Sequence, residues 1–135
     1  MATYQKFNAL TADAFNKVHD ISSDQLMVAL SSVAPTAADS VLADITQIAY
    51  TNLSSRNITT TSSTQTAGQY SLVLAPLTLT ASGGSVESFR YVSVYNNTAA
   101  SDNLLFFGDV GSTVTLANGQ SFQITFGTPA FTIGA

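Results

Sequence analysis

Between Phe89 and Phe126 the chain changes character every few residues, and each change narrows what can be built there. The stretch reads FRYVSVYNNTAASDNLLFFGDVGSTVTLANGQSFQITF. Successive side chains of an extended chain point to opposite faces. Phe89, Tyr91, Ser93 and Tyr95 therefore share one side of a strand, and Arg90, Val92 and Val94 the other. Asn96-Asn97 breaks this run, and residues 104–107 form a short apolar run closed by Gly108 and Asp109. Residues 113–116 and 121–126 flank Asn118-Gly119, a dipeptide that takes the positive φ of a tight turn at little steric cost, so the pattern predicts a terminal hairpin. Phe122, Ile124 and Phe126 alternate with Ser121, Gln123 and Thr125, as in a half-buried antiparallel strand.

The remainder adds one helix and several short strands. Tyr4, Phe7, Leu10, Ala14, Phe15 and Val18 recur at spacings of three and four, which predicts a helix over residues 4–18 with Lys6, Asp13, Asn16 and Lys17 toward water. Asn8 and Thr11 are alternative caps. The apolar stripe either packs on the core or docks on a neighbouring subunit. Residues 25–30 read as a strand with Leu26, Val28 and Leu30 on one face, ended by Pro35. Residues 39–48 fit either a short helix through Val41, Leu42, Ile45 and Ile48 or a loop with an extended end. Residues 54–67, SSRNITTTSSTQTA, give either an edge strand over 57–61 or a mobile surface loop. Tyr70, Leu72 and Leu74 alternate, Pro76 marks a bulge or edge, and Leu77 and Leu79 resume the pattern. Ser82-Gly83-Gly84-Ser85 is a turn. Gly127 and Pro129 break the last strand, and Phe131 and Ile133 form an apolar tail expected to pack against something. With no internal repeat or linker, the expectation is a single domain over 1–135. It is mainly β, an antiparallel β-sandwich or jelly-roll-like barrel over about 25–135, with one N-terminal α-helix.

Composition limits the function classes. Only 9% of residues are charged, against roughly 25% in a typical soluble domain. Ser, Thr, Asn and Gln fill the polar share, and such a surface loses little when buried against another protein. Extensive protein contact and a secreted-style all-β surface both fit. The net charge is −4, and the four cations, Lys6, Lys17, Arg56 and Arg90, are scattered, which argues against direct nucleic-acid binding. The absence of cysteine excludes disulfides and thiolate metal sites. MATYQKFNAL shows no basic region followed by an apolar one, and no apolar run approaches the length of a membrane span. The expectation is synthesis and first use in a cytoplasm, without membrane contact.

Candidate chemistry is sparse. His19 is the single histidine, followed by Asp20, and no Gly-x-Ser-x-Gly elbow accompanies it. At the end of the predicted helix its imidazole is expected to bond the last free carbonyls. Asp102, Asn103 and Asp109 lack the spacing of a calcium loop. No sequence argument brings Glu87 together with an aspartate across a cleft. Three sequons, at Asn52, Asn57 and Asn96, read as chance matches in an Asn/Thr-rich chain. The residues thus predict no catalytic, cofactor or metal site, and no enzyme.

Residues 7–49 (FNALTADAFNKVHDISSDQLMVALSSVAPTAADSVLADITQIA) and 82–126 (SGGSVESFRYVSVYNNTAASDNLLFFGDVGSTVTLANGQSFQITF) resemble small virion proteins of tailed bacteriophages. The likeness lies in a helix ending near Val18-His19, the strand after it, the 41–45 segment, the Tyr95-Asn96-Asn97-Thr98 turn and the Gly111-Ser112 and Asn118-Gly119 turns. The resemblance implies a structural part of the particle, assembled in the host cytoplasm. The leading expectation is a capsid decoration, or cement, protein: a homo-oligomer, expected to be a trimer at local threefold positions, bound to the major capsid protein on the outer head. Alternatives are a tail, neck or head-fibre component, a receptor- or glycan-binding module, and a virion hydrolase dependent on His19. Residues 2–18 are the candidate shell contact, through Tyr4, Phe7, Leu10 and Phe15. Phe89, Tyr91 and Tyr95 are candidates for the core or an oligomer seam.

Overall fold

The aromatic and β-branched run ending at Asn96 forms the centre of a five-stranded antiparallel sheet. The computed structural model describes residues 3–127 and 131–133, with side chains over 4–127. In it β7 (Val86–Asn96) lies between β8 (Leu104–Leu116) and β2 (Leu26–Ser31). β1 (Thr3–Lys6) pairs with the far side of β8, and β3 (Asn57–Ile58) edges β2. A second layer contains β4 (Thr60–Thr66), β5 (Gln69–Leu74) and β10 (Phe131–Ile133) in the order β10-β5-β4. A two-stranded ladder of β6 (Leu77–Thr80) and β9 (Ser121–Ile124) joins that layer's share of the core. The fold is mainly β, with antiparallel sheets, a sandwich-like core and one α-helix, α1 (Ala9–Phe15), near the N-terminus.

The layers are held by burial. Val28, Leu30, Val92, Val94 and Phe106 of the large sheet meet Leu72 and Leu74 of β5, Leu79 of β6 and Ile124 of β9. The Phe106 ring lies edge-on to Tyr4 at 5.4 Å and to Phe126 at 6.2 Å, spanning the two layers. The outer face of the large sheet is covered as well. Phe7, Ala29, Ile45, Tyr95 and Leu104 form a second buried cluster, under a segment that carries a 3-10 turn at Leu42–Asp44. Cover on both faces explains why residues 92–96 are buried without alternation.

Three irregularities interrupt the β7–β8 register, the first where Glu87 and Ser88 together stand opposite Thr115. Between the pairs Phe89↔Val114 and Tyr91↔Asp109, one residue of β7 stands opposite four of β8, including Gly111 at φ 104°. Between Val94↔Phe106 and Tyr95↔Leu104, Leu105 is the extra residue. Phe89 thus joins the inner core and Tyr95 the outer cluster, although simple alternation places them on one face.

The N-terminal segment departs from the predicted helix over 4–18. Residues 3–6 form β1, because β8 offers an open edge and pairs Tyr4 with Gly108. The Tyr4 hydroxyl donates to the Thr125 carbonyl at 3.0 Å, and burial pushes its pKa up to about 12. The helix then runs only from Ala9 to Phe15, and Lys17 at φ 62° ends it. Asn118-Gly119 makes its turn, with Gln120 N–H bonded to the Ala117 carbonyl at 2.9 Å and a positive φ at Gly119, as in a type II turn. It does not make the predicted hairpin. Gly119 N–H donates to the Ala81 carbonyl at 2.8 Å, which ties the turn to the end of β6, and β9 pairs with β6 instead of β8. The runs 104–107 and 113–116 are two ends of one strand, β8.

Other segments fall within the expectations. Residues 57–66 supply β3 and the edge strand β4, joined to β5 by a tight turn at Ala67-Gly68, both at positive φ. Pro76 lies between β5 and β6, where the chain changes sheets. Residues 131–133 of the tail pair with β5, while Ala2 and Pro129 lie outside the described residues.

Candidate functional site

At one end of the sandwich the layers part beside α1. After Phe15 the chain reverses: Asn16 N–H closes on Ala12, and Val18 N–H bonds the Asp13 carbonyl at 3.0 Å. Residues 20–24 then wind about Asp20. Its carbonyl accepts from the N–H groups of Ser23 and Asp24, and its carboxylate accepts from the Ser22 hydroxyl at 2.7 Å. Those serine hydrogen bonds hold the Asp20 carboxyl below the usual range, so it stays ionised. The opposite wall is the β4–β5 hairpin, where Ser63 and Tyr70 share a hydroxyl–hydroxyl hydrogen bond. Between these walls lies an open groove of about 370 Å³, lined by Leu10, Ala14, Phe15, Ile21 and the polar groups just named, with His19 alongside. Phe15 is 80% exposed at its edge, and Val33, elsewhere, is the other large exposed hydrophobe among the described residues.

Behind the groove is a buried polar network centred on Asn96. Its Oδ1 accepts from the backbone N–H groups of Thr98 and Ala99 at 2.9 and 3.2 Å. This fixes the amide orientation, so its Nδ2 donates to Asp24 Oδ2 at 2.6 Å and faces His19 Nδ1 at 3.0 Å. A donor facing Nδ1 requires that nitrogen to accept, which places the proton of neutral His19 on Nε2. Among the described residues Nε2 has no hydrogen-bond partner, and it lies 4.0 Å from Asp13 Oδ2, which accepts from Asn103 Nδ2 at 3.3 Å. The His19 side chain is 1% exposed, so it does not bond free helix carbonyls as expected from its sequence position: the helix ends four residues earlier.

Desolvation lowers the His19 pKa, against the opposing pull of Asp13 and Asp24. A histidine whose folded pKa lies below its unfolded value leaves stability intact above that unfolded value, near 6.5, and loses it as pH falls toward the folded pKa. Stability is therefore expected to fall as the pH drops below about 6.5, by at most about 1.4 kcal/mol per pH unit. Urea denaturation at stepped pH should show this slope in the native chain, and His19→Gln should flatten it. An equal slope in both proteins would remove His19 from the network's titration.

Burial separates the candidate interface residues. Phe7, Leu10, Phe89 and Tyr95 are buried in the chain's own core and are not available to a partner in this fold. Of the two places offered for them, Phe89 and Tyr95 thus lie in the core. Tyr4 is half-buried between Phe106 and Phe126. Tyr91 is partly exposed beside Arg90, and Phe15 alone of the seven is fully presented to solvent. Residues 2–18 are consequently not a detachable arm over their described part.

The oxygen donors considered for calcium are dispersed. Asp109 is forked by Arg90 at 2.8 and 3.1 Å, and Asn103 serves Asp13. Among the described residues no group of three or more His, Asp or Glu side chains is placed to hold a metal, and no helix is long and apolar enough to cross a membrane. The Glu87 carboxylate accepts from Ala49 N–H at 3.0 Å. Sequence reasoning missed the Asn96 network, because an asparagine after an aromatic strand reads as a breaker. The available signal was the apolar run through Val92, Val94 and Tyr95 that precedes it. Searches of protein-family models, curated proteins and solved structures return no match to this chain.

Proposed function

We propose that this chain is a non-enzymatic structural protein of a phage virion, a decoration protein that coats the outer head and stabilises the shell. The observation that carries this reading is Phe15, a fully presented aromatic at the end of an anchored helix, on a surface otherwise poor in charge. An exposed apolar anchor rimmed by uncharged polar groups suits a contact made with another protein. Repetition over a lattice turns modest single contacts into large total stabilisation. The resemblance of residues 7–49 and 82–126 to phage virion proteins gives the particle context, with the major capsid protein as partner and self-association into a trimer.

Deleting residues 2–18 is unsuitable as a test, because it removes β1 and buried Phe7 and Leu10. Phe15→Ser avoids this. Burying one large apolar side chain is worth about 1.5–3 kcal/mol, so this variant is expected to bind heads lacking the protein at least about tenfold more weakly in co-sedimentation. Its urea midpoint should be unchanged. Full occupancy by the variant would show that Phe15 does not face the shell.

A further inference from the structure

The groove beside α1 has an apolar interior and a single fixed charge at its rim. Leu10, Ala14, Phe15 and Ile21 supply the apolar surface, and the volume of about 370 Å³ is at the small end for a ligand site, fitting one large side chain. The ionised lining group is Asp20, held in place by Ser22, with Asp13 and Asp24 close behind around neutral His19. No lysine or arginine lines the groove. We infer that it takes an aromatic or branched apolar side chain flanked by lysine or arginine, presented by a protein partner other than a second copy of this chain.

The charge inventory favours a different partner over self-docking. The chain has four cations. Arg90 is forked onto Asp109, and Arg56 stacks on Tyr50 at 3.7 Å while bonding the Val28 carbonyl. Lys6 lies in paired β1, and Lys17 sits in the segment bearing Asp13 and Asp20 themselves. The inference relies on the shell-binding role only for where the partner is found; the chemistry of the occupant comes from the groove.

The chain contains no tryptophan, so a peptide's indole emission reports binding without background. The probes are acetyl-Gly-Lys-Trp-Lys-Gly-amide and its counterpart with both lysines replaced by glutamate. The basic peptide is expected to bind about tenfold more tightly, with the difference shrinking in high salt. Asp20→Asn should cut that preference to about threefold. Phe15→Ser should weaken both peptides, and Ile21→Ser, a second groove variant, should do the same. Equal affinity for the two peptides, no binding of either, or binding unaffected by both groove variants would overturn the inference. So would a dimer in sedimentation that Phe15→Ser dissolves, since a second copy would then be the occupant. Peptide failure with normal head binding would overturn this inference and leave the shell role standing. Peptide binding as described without head binding would support the groove chemistry and remove the shell role.

Discussion

Replacing Phe106 with alanine is expected to destabilise the protein by about 4 kcal/mol, within the range of buried phenylalanine truncations. Phe106 is completely buried. It touches Tyr4 of the first strand and Phe126 beyond the last strand of the β6–β9 ladder, at 5.4 and 6.2 Å between ring centroids. Its removal opens a cavity between the layers and deprives two other rings of their edge-on contact, and neighbours fixed in sheets relax only partly into such a space. For a domain whose total stability is about 5–15 kcal/mol, the thermal midpoint should fall by roughly 10 °C or more. Phe106→Leu should lose distinctly less. Urea denaturation with an unchanged slope measures the difference directly. A loss below about 1 kcal/mol for the alanine variant would mean that the layers do not meet at Phe106.

Asn96→Ala has the second large expected effect, about 3 kcal/mol, and acts by another mechanism. The amide satisfies the Thr98 and Ala99 N–H groups, the Asp24 carboxylate and His19 Nδ1. Alanine leaves His19 Nδ1 without its partner on a ring closed to water, and takes from the half-buried Asp24 carboxylate and the Thr98 and Ala99 N–H groups theirs nearer the surface; a stranded buried polar group is costly. The variant should also be less sensitive to acid. With Asn96 in place, protonating His19 sets two donors face to face at 3.0 Å. Without it, that opposition disappears while Asp13 and Asp24 continue to favour the imidazolium. Stability loss below about pH 6.5 should therefore be shallower in Asn96→Ala than in the native chain. A variant with native stability and a native pH slope would contradict the network.

The strands legible in the sequence were those whose two faces differ. Leu26, Val28 and Leu30 lead into the core as their spacing indicates, as do Leu72, Leu74 and Leu79. The Thr-rich segment could be read either as an edge strand over 57–61 or as a surface loop, because threonine suits a pleated surface without needing burial, and the strands there run over 57–58 and 60–66. Less legible were features decided by a distant partner. Tyr4 and Phe7 fit a helical stripe, yet the open edge of β8 draws residues 3–6 into a strand, a pairing that spans about 100 residues of sequence. Asn118-Gly119 specifies a turn but not which strand follows it, and Ala81 decides that by accepting from Gly119. The groove was half legible: Phe15 could be named from the helical spacing, but its wall at Tyr70 comes from a hairpin far along the chain.

The most direct test of a shell-coating role is the copy number of this chain in purified particles, measured by quantitative mass spectrometry against the major capsid protein. A decoration protein should be present near one copy per capsid subunit, or one trimer per local threefold position. A handful of copies per particle would contradict that role and place the chain at the neck, tail or fibres.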